Sequence, residues 1–274
     1  MADNTDLLNN EVLEYFWEKL KSYFAPLASL EDYATDADLE DAKQSISSSM
    51  SGKINSVNGK VESYYNLLKP AMIRVTVYVN AQSGNDDNSG DTAASPKKTI
   101  AGALGKYPMY SNIRLQLAAG TYDIGTMTAE NKKIALVGAS AANTTLNGRI
   151  NLTSCTLTLS ALTVVADGTT PIVTASTGSH VYGYRANFIS TGGVECLRVT
   201  TASQCYLDGS VFVADAETDI VVRSSGGSVT GLGYCSIPGL VCASTTGEAK
   251  LTGCTIKGTK IESGGVIFIN GSKV

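Results

Sequence analysis

The sequence predicts a mainly β chain: one parallel β-helix of about seven or eight rungs, preceded by an amphipathic helix and a short trimeric coiled coil. Three observations predict it. An apolar pattern returns every two dozen residues through the second half, a narrow apolar seam of helical spacing runs from residue 39 to 68, and glycine, serine and threonine crowd the stretches between apolar runs.

Residues 7–24 carry Leu8, Val12, Phe16, Leu20 and Phe24, with Leu13 and Trp17 adjacent, which makes an amphipathic helix with an aromatic face. Pro26 limits it. Such a face packs either on symmetry-related copies or on a larger assembly. A second helical pattern follows at Leu39, Ala42, Ile46, Met50, Ile54, Val57, Val61, Tyr64 and Leu68, a heptad seam with three successive steps of four around Met50. A helix with one narrow apolar seam has no other face to bury, so it needs other copies of itself. β-branched seam residues lean toward three strands, which places Leu39, Ile46, Ile54, Val61 and Leu68 in a trimer interface. Gly52 and Gly59 weaken the helix, and Pro70 is expected to end it. The resulting division is 1–33 for an attachment helix, 34–70 for the stalk, 71–111 for a cap and 112–274 for the β-helix.

The solenoid repeat is explicit. Leu157, Leu159, Leu162 and Val164 step by 24 to Val181, Gly183, Ala186 and Phe188, and again to Cys205, Leu207, Ser210 and Phe212. A step of 25 reaches Leu232, Cys235 and Ile237, and a step of 19 reaches Leu251, Cys254 and Ile256. The internal spacing is strand alternation with a bend, and small residues at the bend suit a tight corner. Upstream, Ile113, Leu115 and Leu117 form one rung, and Ile134 and Leu136 the next, with Asn147-Gly148 as a turn signal. A further pair of columns repeats in register: Ile172, Cys196, Ile220 and Leu240, then Val173, Leu197, Val221 and Val241. Strand alternation would turn one of them outward. Val173, Leu197 and Val221, or their immediate predecessors, are therefore expected to contact another copy of the chain.

Composition narrows the partners. The 274 residues carry a net charge of −4, and the pI is about 5.1, which gives no electrostatic case for nucleic acid or an anionic membrane. No apolar run approaches the ~20 residues of a membrane span, and the acidic start lacks a signal-peptide pattern, so synthesis and folding in a cytoplasm are expected. All six cysteines follow residue 154 without a C-x-x-C pair. Cys235 and Cys254 are expected on adjacent rungs, near enough for a disulfide, although reduced, buried thiols suit cytoplasmic assembly better. One histidine, His180, and no Cys/His cluster leave no zinc site, and no cofactor is implied.

Tyr78-Val79-Asn80-Ala81-Gln82-Ser83-Gly84-Asn85-Asp86-Asp87-Asn88-Ser89-Gly90, followed by Ser95-Pro96-Lys97-Lys98-Thr99-Ile100, resembles the N-terminal cap of right-handed parallel β-helices of the pectin-lyase-like superfamily. Ile134-Ala135-Leu136-Val137-Gly138 and Thr144-Thr145-Leu146-Asn147-Gly148 are similar to its early rungs. The resemblance covers residues 75–274 and implies the fold; the superfamily holds lyases, hydrolases, adhesins and viral spikes, so it does not imply one activity. Leu13-Glu14-Tyr15-Phe16-Trp17-Glu18-Lys19-Leu20-Lys21 is similar to the opening of small fibre and tail proteins of bacteriophages of Gram-positive hosts. Together these imply a virion protein, made in the host cytoplasm, in which an attachment helix binds other virion proteins, a stalk forms a homotrimer and the β-helix meets a host-surface glycan. A glycan-cleaving tailspike and a structural capsid fibre are the alternatives.

Candidate site residues follow from register. Glu195 plus 24 is Asp219, which would stack two carboxylates about 5 Å apart, near the separation in retaining glycosidases. Asp215, Glu217, Arg198 and Arg223 lie nearby, and a solvated turn cluster of exposed ion pairs is the simpler reading. Tyr182 and Tyr206 stand one rung apart, with Tyr184 over Asp208 and Arg185 beside them. Such aromatic faces with a polar rim suit sugar rings, and the same residue types line subunit contacts. The loop Asn85–Asp91 offers oxygens to calcium but lacks the EF-hand spacing, and a turn in which Asn and Asp bond their own backbone explains it more simply.

Overall fold

The structure is a computed structural model that describes residues 10–24, 35–72, 74–107, 111–168 and 170–274. It divides into a helical unit, Met1–Tyr64, and a β unit, Tyr65–Val274. Among the described residues no helix is long and apolar enough to cross a membrane.

In the helical unit, α1 spans Asn10–Phe24 and α2 begins at Asp36 and runs to Met72. Thr35 and Asp38 form a capping box at the start of α2: the Asp38 N–H donates to Thr35 Oγ1 (3.2 Å) and the Thr35 N–H to Asp38 Oδ2 (2.9 Å). Leu13, Trp17 and Leu20 are half-buried beside Ile46 and Met50, with Lys43 Nζ 5.4 Å from the Trp17 ring centre. Among the described seam residues Leu39, Ile46, Val57, Val61 and Tyr64 are 45–65% exposed. The side chains of Val12, Phe24 and Leu68, and the whole of Leu8, lie outside the described residues. Pro70 does not end the helix as expected: α2 continues two residues past it, since a proline near a helix end removes only one N–H from the ladder.

The β unit opens with β1 (Val75–Val79) and α3 (Ile100–Gly105). The chain then winds through β2 (Asn112–Leu117), β3 (Gly120–Glu130), β4 (Lys133–Val137), β5 (Thr144–Thr153), β6 (Thr156–Asp167), β7 (Val173–Ser176) and β8 (His180–Thr191). It continues through β9 (Leu197–Val199), β10 (Gln204–Asp208), β11 (Phe212–Val213), β12 (Ile220–Ser224), β13 (Val229–Gly233) and β14 (Ser236–Ser244). The last strands are β15 (Glu248–Thr252), β16 (Thr255–Glu262), β17 (Val266–Ile269) and β18 (Ser272–Lys273). Pairing skips along the chain, β2 with β4, β4 with β6, β6 with β8, β8 with β10, all parallel, which is the signature of a solenoid. Among the described residues only β17 and β18 pair antiparallel. The solenoid has about six turns where the sequence predicts seven or eight rungs, with β1 and α3 at one end and the β17–β18 hairpin at the other.

The repeat read from the sequence is the register of this solenoid. Leu157 pairs with Val181, Val181 with Cys205, Leu207 with Leu232, Leu232 with Leu251 and Ile237 with Ile256. These columns fill the interior, where Phe188 and Phe212 stack at 5.1 Å. Corners are built from residues in the left-handed region, once per turn: Ala161, Arg185, Gly209, Tyr234 and Gly253 at one, Ser154, Thr177, Thr201 and Gly226 at another. The second corner also carries buried hydroxyls that cap backbone donors of the preceding rung: the Cys155 N–H donates to Ser179 Oγ (3.2 Å) and the Ser179 N–H to Ser203 Oγ (3.1 Å). Asn147-Gly148 is no interruption; β5 bends there with Gly148 at φ +136°, and a Cβ on it would fall 2.2 Å from the Gly125 carbonyl oxygen.

Two expectations need correction. Val173, Leu197 and Val221 are fully buried inside one chain, as are Ile172 and Cys196 of the neighbouring column, while Ile220 and Leu240 are half-buried, so the Val173–Leu197–Val221 column offers no stripe to a second copy. Alternation fails because the chain turns a corner there, and two successive side chains can then both point inward. The register also slips at Ile220–Val222, so Leu197 pairs with Val222, a step of 25. The step of 24 that carries Glu195 onto Asp219 does not hold at that place.

Candidate functional site

Tyr182 on β8, Tyr206 on β10, Gly231 on β13, Lys250 on β15 and Phe268 on β17 occupy one outward column in strict register. Tyr182 and Tyr206 are stacked, ring centres 6.1 Å apart and planes within 17°, and each is just over 40% exposed. His180, two residues before Tyr182 and so on the same face, extends the stack at 6.4 Å. The Tyr206 ring lies over Gly231, where a Cβ would come within 2.7 Å of a ring carbon. One face of the Tyr206 ring rests on the bare glycine and the other is turned to Tyr182. Tyr184 is paired in register with Asp208, as expected, and Arg185 caps its ring at 5.1 Å. A Glu248–Lys250 ion pair (2.6 Å) borders the far side. The five expected residues Tyr182, Tyr184, Arg185, Tyr206 and Asp208 thus share one exposed face. His180, Gly231, Glu248 and Lys250 were not singled out, although the steps of 24, 25 and 19 place the last three over or beside Tyr206.

The carboxylate pair sits in a different environment. Glu195 and Asp219 line one cleft of about 310 Å³ with Pro171, Gly193, Arg198 and Thr218. Glu195 is buried, and both oxygens are engaged: Arg198 Nε donates to Oε2 and Arg223 Nε to Oε1, each at 2.6 Å. Arg198 and Arg223 are register neighbours, so the carboxylate bridges two guanidinium groups on successive rungs. Arg223 Nη1 reaches on to Glu262 Oε2 at 3.0 Å, and Lys260 Nζ to Glu262 Oε1 at 2.7 Å. Partial burial disfavours the Arg223 charge, yet Glu195 and Glu262 outweigh it and push its pKa up. The bonds from Lys260 and Arg223 hold the Glu262 carboxyl below its ordinary value. Asp219 Oδ2 accepts from the Ala216 N–H at 2.9 Å, and Asp215 accepts from the Gly192 N–H. A nucleophile or proton donor needs an oxygen free to face substrate, and Glu195 has neither one free. This cluster is a cross-rung charge ladder.

The Asn85–Asp91 loop is held by its own side chains. Asp86 accepts from the Lys98 N–H (3.0 Å), the Thr99 N–H (2.9 Å) and the Thr99 hydroxyl (2.7 Å), while Asn85 Oδ1 accepts from the Asp87 N–H (3.1 Å). Desolvation raises the Asp86 pKa, but these donors and the Lys97 charge outweigh it and leave the carboxyl below its ordinary value. Thr99 in turn caps α3 through the Gly102 N–H (2.9 Å), and the buried Lys97 ammonium donates to the Asp86 carbonyl. The loop locks the cap onto the solenoid. Among the described residues no group of three or more His, Cys, Asp or Glu is placed to hold a metal ion.

The chain matches no protein-family profile, no curated protein and no solved structure.

Proposed function

We propose that this chain is a non-enzymatic, homotrimeric fibre or spike protein of a bacteriophage, attached to the virion through its N-terminal helix and binding a host-surface glycan through its β-helix. The carrying observation is the α2 seam. Leu39, Ile46, Val57 and Val61 are exposed along this seam, whose heptad spacing is broken once around Met50, on a helix of 37 residues. Exposed apolar seams of that length are covered by like helices. The right-handed, pectin-lyase-like character of the solenoid belongs to the same reading and rests on the cap and early-rung residues quoted above.

Glycan recognition is supported by the Tyr182–Tyr206 face. The exposed edges of a stacked tyrosine pair offer apolar area to a sugar ring, and Asp208, Arg185, Glu248 and Lys250 offer hydrogen-bonding partners beside it. Against the depolymerase alternative stands the Glu195 geometry, with both oxygens committed to arginines. The test is twofold. Light scattering should give three chains per particle for the full-length protein. Binding to cell-wall and capsular polysaccharides of Gram-positive bacteria should weaken about 5- to 30-fold in Tyr206→Ala, the loss of ~1–2 kcal/mol of aromatic contact. A monomeric full-length chain overturns the fibre reading; equal binding by Tyr206→Ala and Tyr182→Ala moves the glycan elsewhere. Release of oligosaccharides by the unmodified protein favours the depolymerase.

A further inference from the structure

Cys235 and Cys254 occupy one corner position on successive turns. Ser236 pairs in register with Thr255 directly after them, and the Thr255 N–H donates to the Cys235 carbonyl at 2.9 Å. In-register parallel neighbours have Cα atoms roughly 4.8 Å apart, inside the range a disulfide spans. Each sulfur lies against a backbone carbonyl, Cys235 Sγ 3.2 Å from that of Gly233 and Cys254 Sγ 3.2 Å from that of Leu232. The Cys235 N–H also points at Cys254 Sγ (3.4 Å), so the backbone supplies a donor to that sulfur. Their surroundings differ: Cys235 is 2% exposed, whereas Cys254 is only partly buried, at the corner beside the exposed Tyr234.

We propose that Cys254 and Cys235 form a reactive thiol pair, in which Cys254 is the oxidant-sensitive thiol and Cys235 resolves it to a disulfide that staples two turns of the solenoid. The neighbouring Cys235 side chain, with the Cys235 N–H, holds the Cys254 thiol down despite partial burial, while Cys254 and burial push Cys235 up. The nearby Asp208 carboxylate works against both thiolates. The partitioning makes the more exposed sulfur the nucleophile.

With a peroxide as oxidant the chemistry closes. Cys254 thiolate attacks one peroxide oxygen, an S–O bond forms, the O–O bond breaks and hydroxide leaves to take up a proton. The sulfur is oxidised by two electrons and the peroxide is reduced. Cys235 sulfur then attacks Cys254 sulfur, the S–S bond forms, the S–O bond breaks, and the departing hydroxide carries off the Cys235 proton as water. Two thiols and one hydrogen peroxide give one disulfide and two waters. The other cysteines are poorly placed for this. Cys205 is fully buried and its thiol is pushed up by burial alone, and Cys196 is likewise buried and pushed up to about 12, mainly by burial. The staple encloses the 18 residues between the two cysteines and ties β13–β14 to β15–β16 near the solenoid's far end.

The test uses the full-length protein with hydrogen peroxide at pH 7 and peptide mass mapping without reductant. The expected product is one link, Cys235 to Cys254, with a mass loss of two hydrogens, a higher melting temperature and full reversal by dithiothreitol. Before oxidation, iodoacetamide should label Cys254 more than about tenfold faster than Cys205. Cys235→Ser should stop at a sulfenic acid on Cys254 that dimedone traps. Labelling of Cys254 no faster than Cys205, or peroxide treatment that leaves both thiols free, overturns the proposal. The labelling rate is read on the unaltered chain, so a variant that fails to fold does not spare the idea.

Discussion

Replacing Glu195 with glutamine keeps the side-chain shape and removes one negative charge from between two guanidinium groups. The Glu195 side chain is 9% exposed, Arg223 21% and Arg198 45%, so water screens one partner well and the other poorly. Two positive charges about 6 Å apart repel by ~3 kcal/mol at an effective dielectric near 20. Breaking a buried pair from one side costs about 3–5 kcal/mol. Here Arg198 is half in water and Arg223 keeps Glu262, so the expected loss for Glu195→Gln is roughly 2–3 kcal/mol. For a β unit of this size that is about 5–10 °C in melting temperature. Trp17, the one tryptophan, lies in the helical unit, so solenoid unfolding is followed by far-ultraviolet circular dichroism. Adding Arg198→Met to Glu195→Gln should recover part of the loss, because one unpaired cation goes with it. A Glu195→Gln protein within about 0.5 kcal/mol of the unmodified one would refute the ladder. Unchanged stability with loss of glycan cleavage would instead make Glu195 catalytic.

Thr230→Val should stabilise the solenoid by about 1 kcal/mol in urea unfolding, because Thr230 Oγ1 is buried without a hydrogen-bond partner and valine keeps its shape; a loss of stability would mean that a buried water satisfies it. A chain truncated to begin at Ala71 should be monomeric in light scattering, since the exposed α2 seam is gone; a persistent trimer would place the contact in the β unit. Asp86 has a depressed pKa in the folded state, so its contribution is present above the unfolded value near 3.9 and is lost as pH falls through the folded one. Asp86→Asn should therefore be less stable at pH 6 and should lose less on going to pH 3; an unchanged acid response would remove Asp86 from the acid transition. Gly231→Leu should displace the Tyr206 ring and weaken polysaccharide binding as Tyr206→Ala does, with the fold retained by circular dichroism.

The sequence by itself determined the solenoid and its registry. A parallel sheet repeats every contact at one chain position per turn, so Leu157, Val181 and Cys205 declare their stacking in the plain text of the chain. It also determined the tyrosine face, because outward residues on the same strands inherit the same steps. Helical periodicity placed α1 and α2 for the same reason, although not the end of α2 beyond Pro70. Tertiary structure alone decided the corners. Whether Val173 and Leu197 face in or out depends on where the chain bends, and one bulged residue at Ile220–Val222 shifts the register from 24 to 25. Strand alternation carries no information about that bend. Arg198 and Arg223 were legible as neighbours of Glu195, but its burial between them and the reach to Glu262 were hidden, since the steps of 28 and 39 match no repeat. Long, flexible side chains meet across rungs off the register, and only the folded geometry brings their charged ends together.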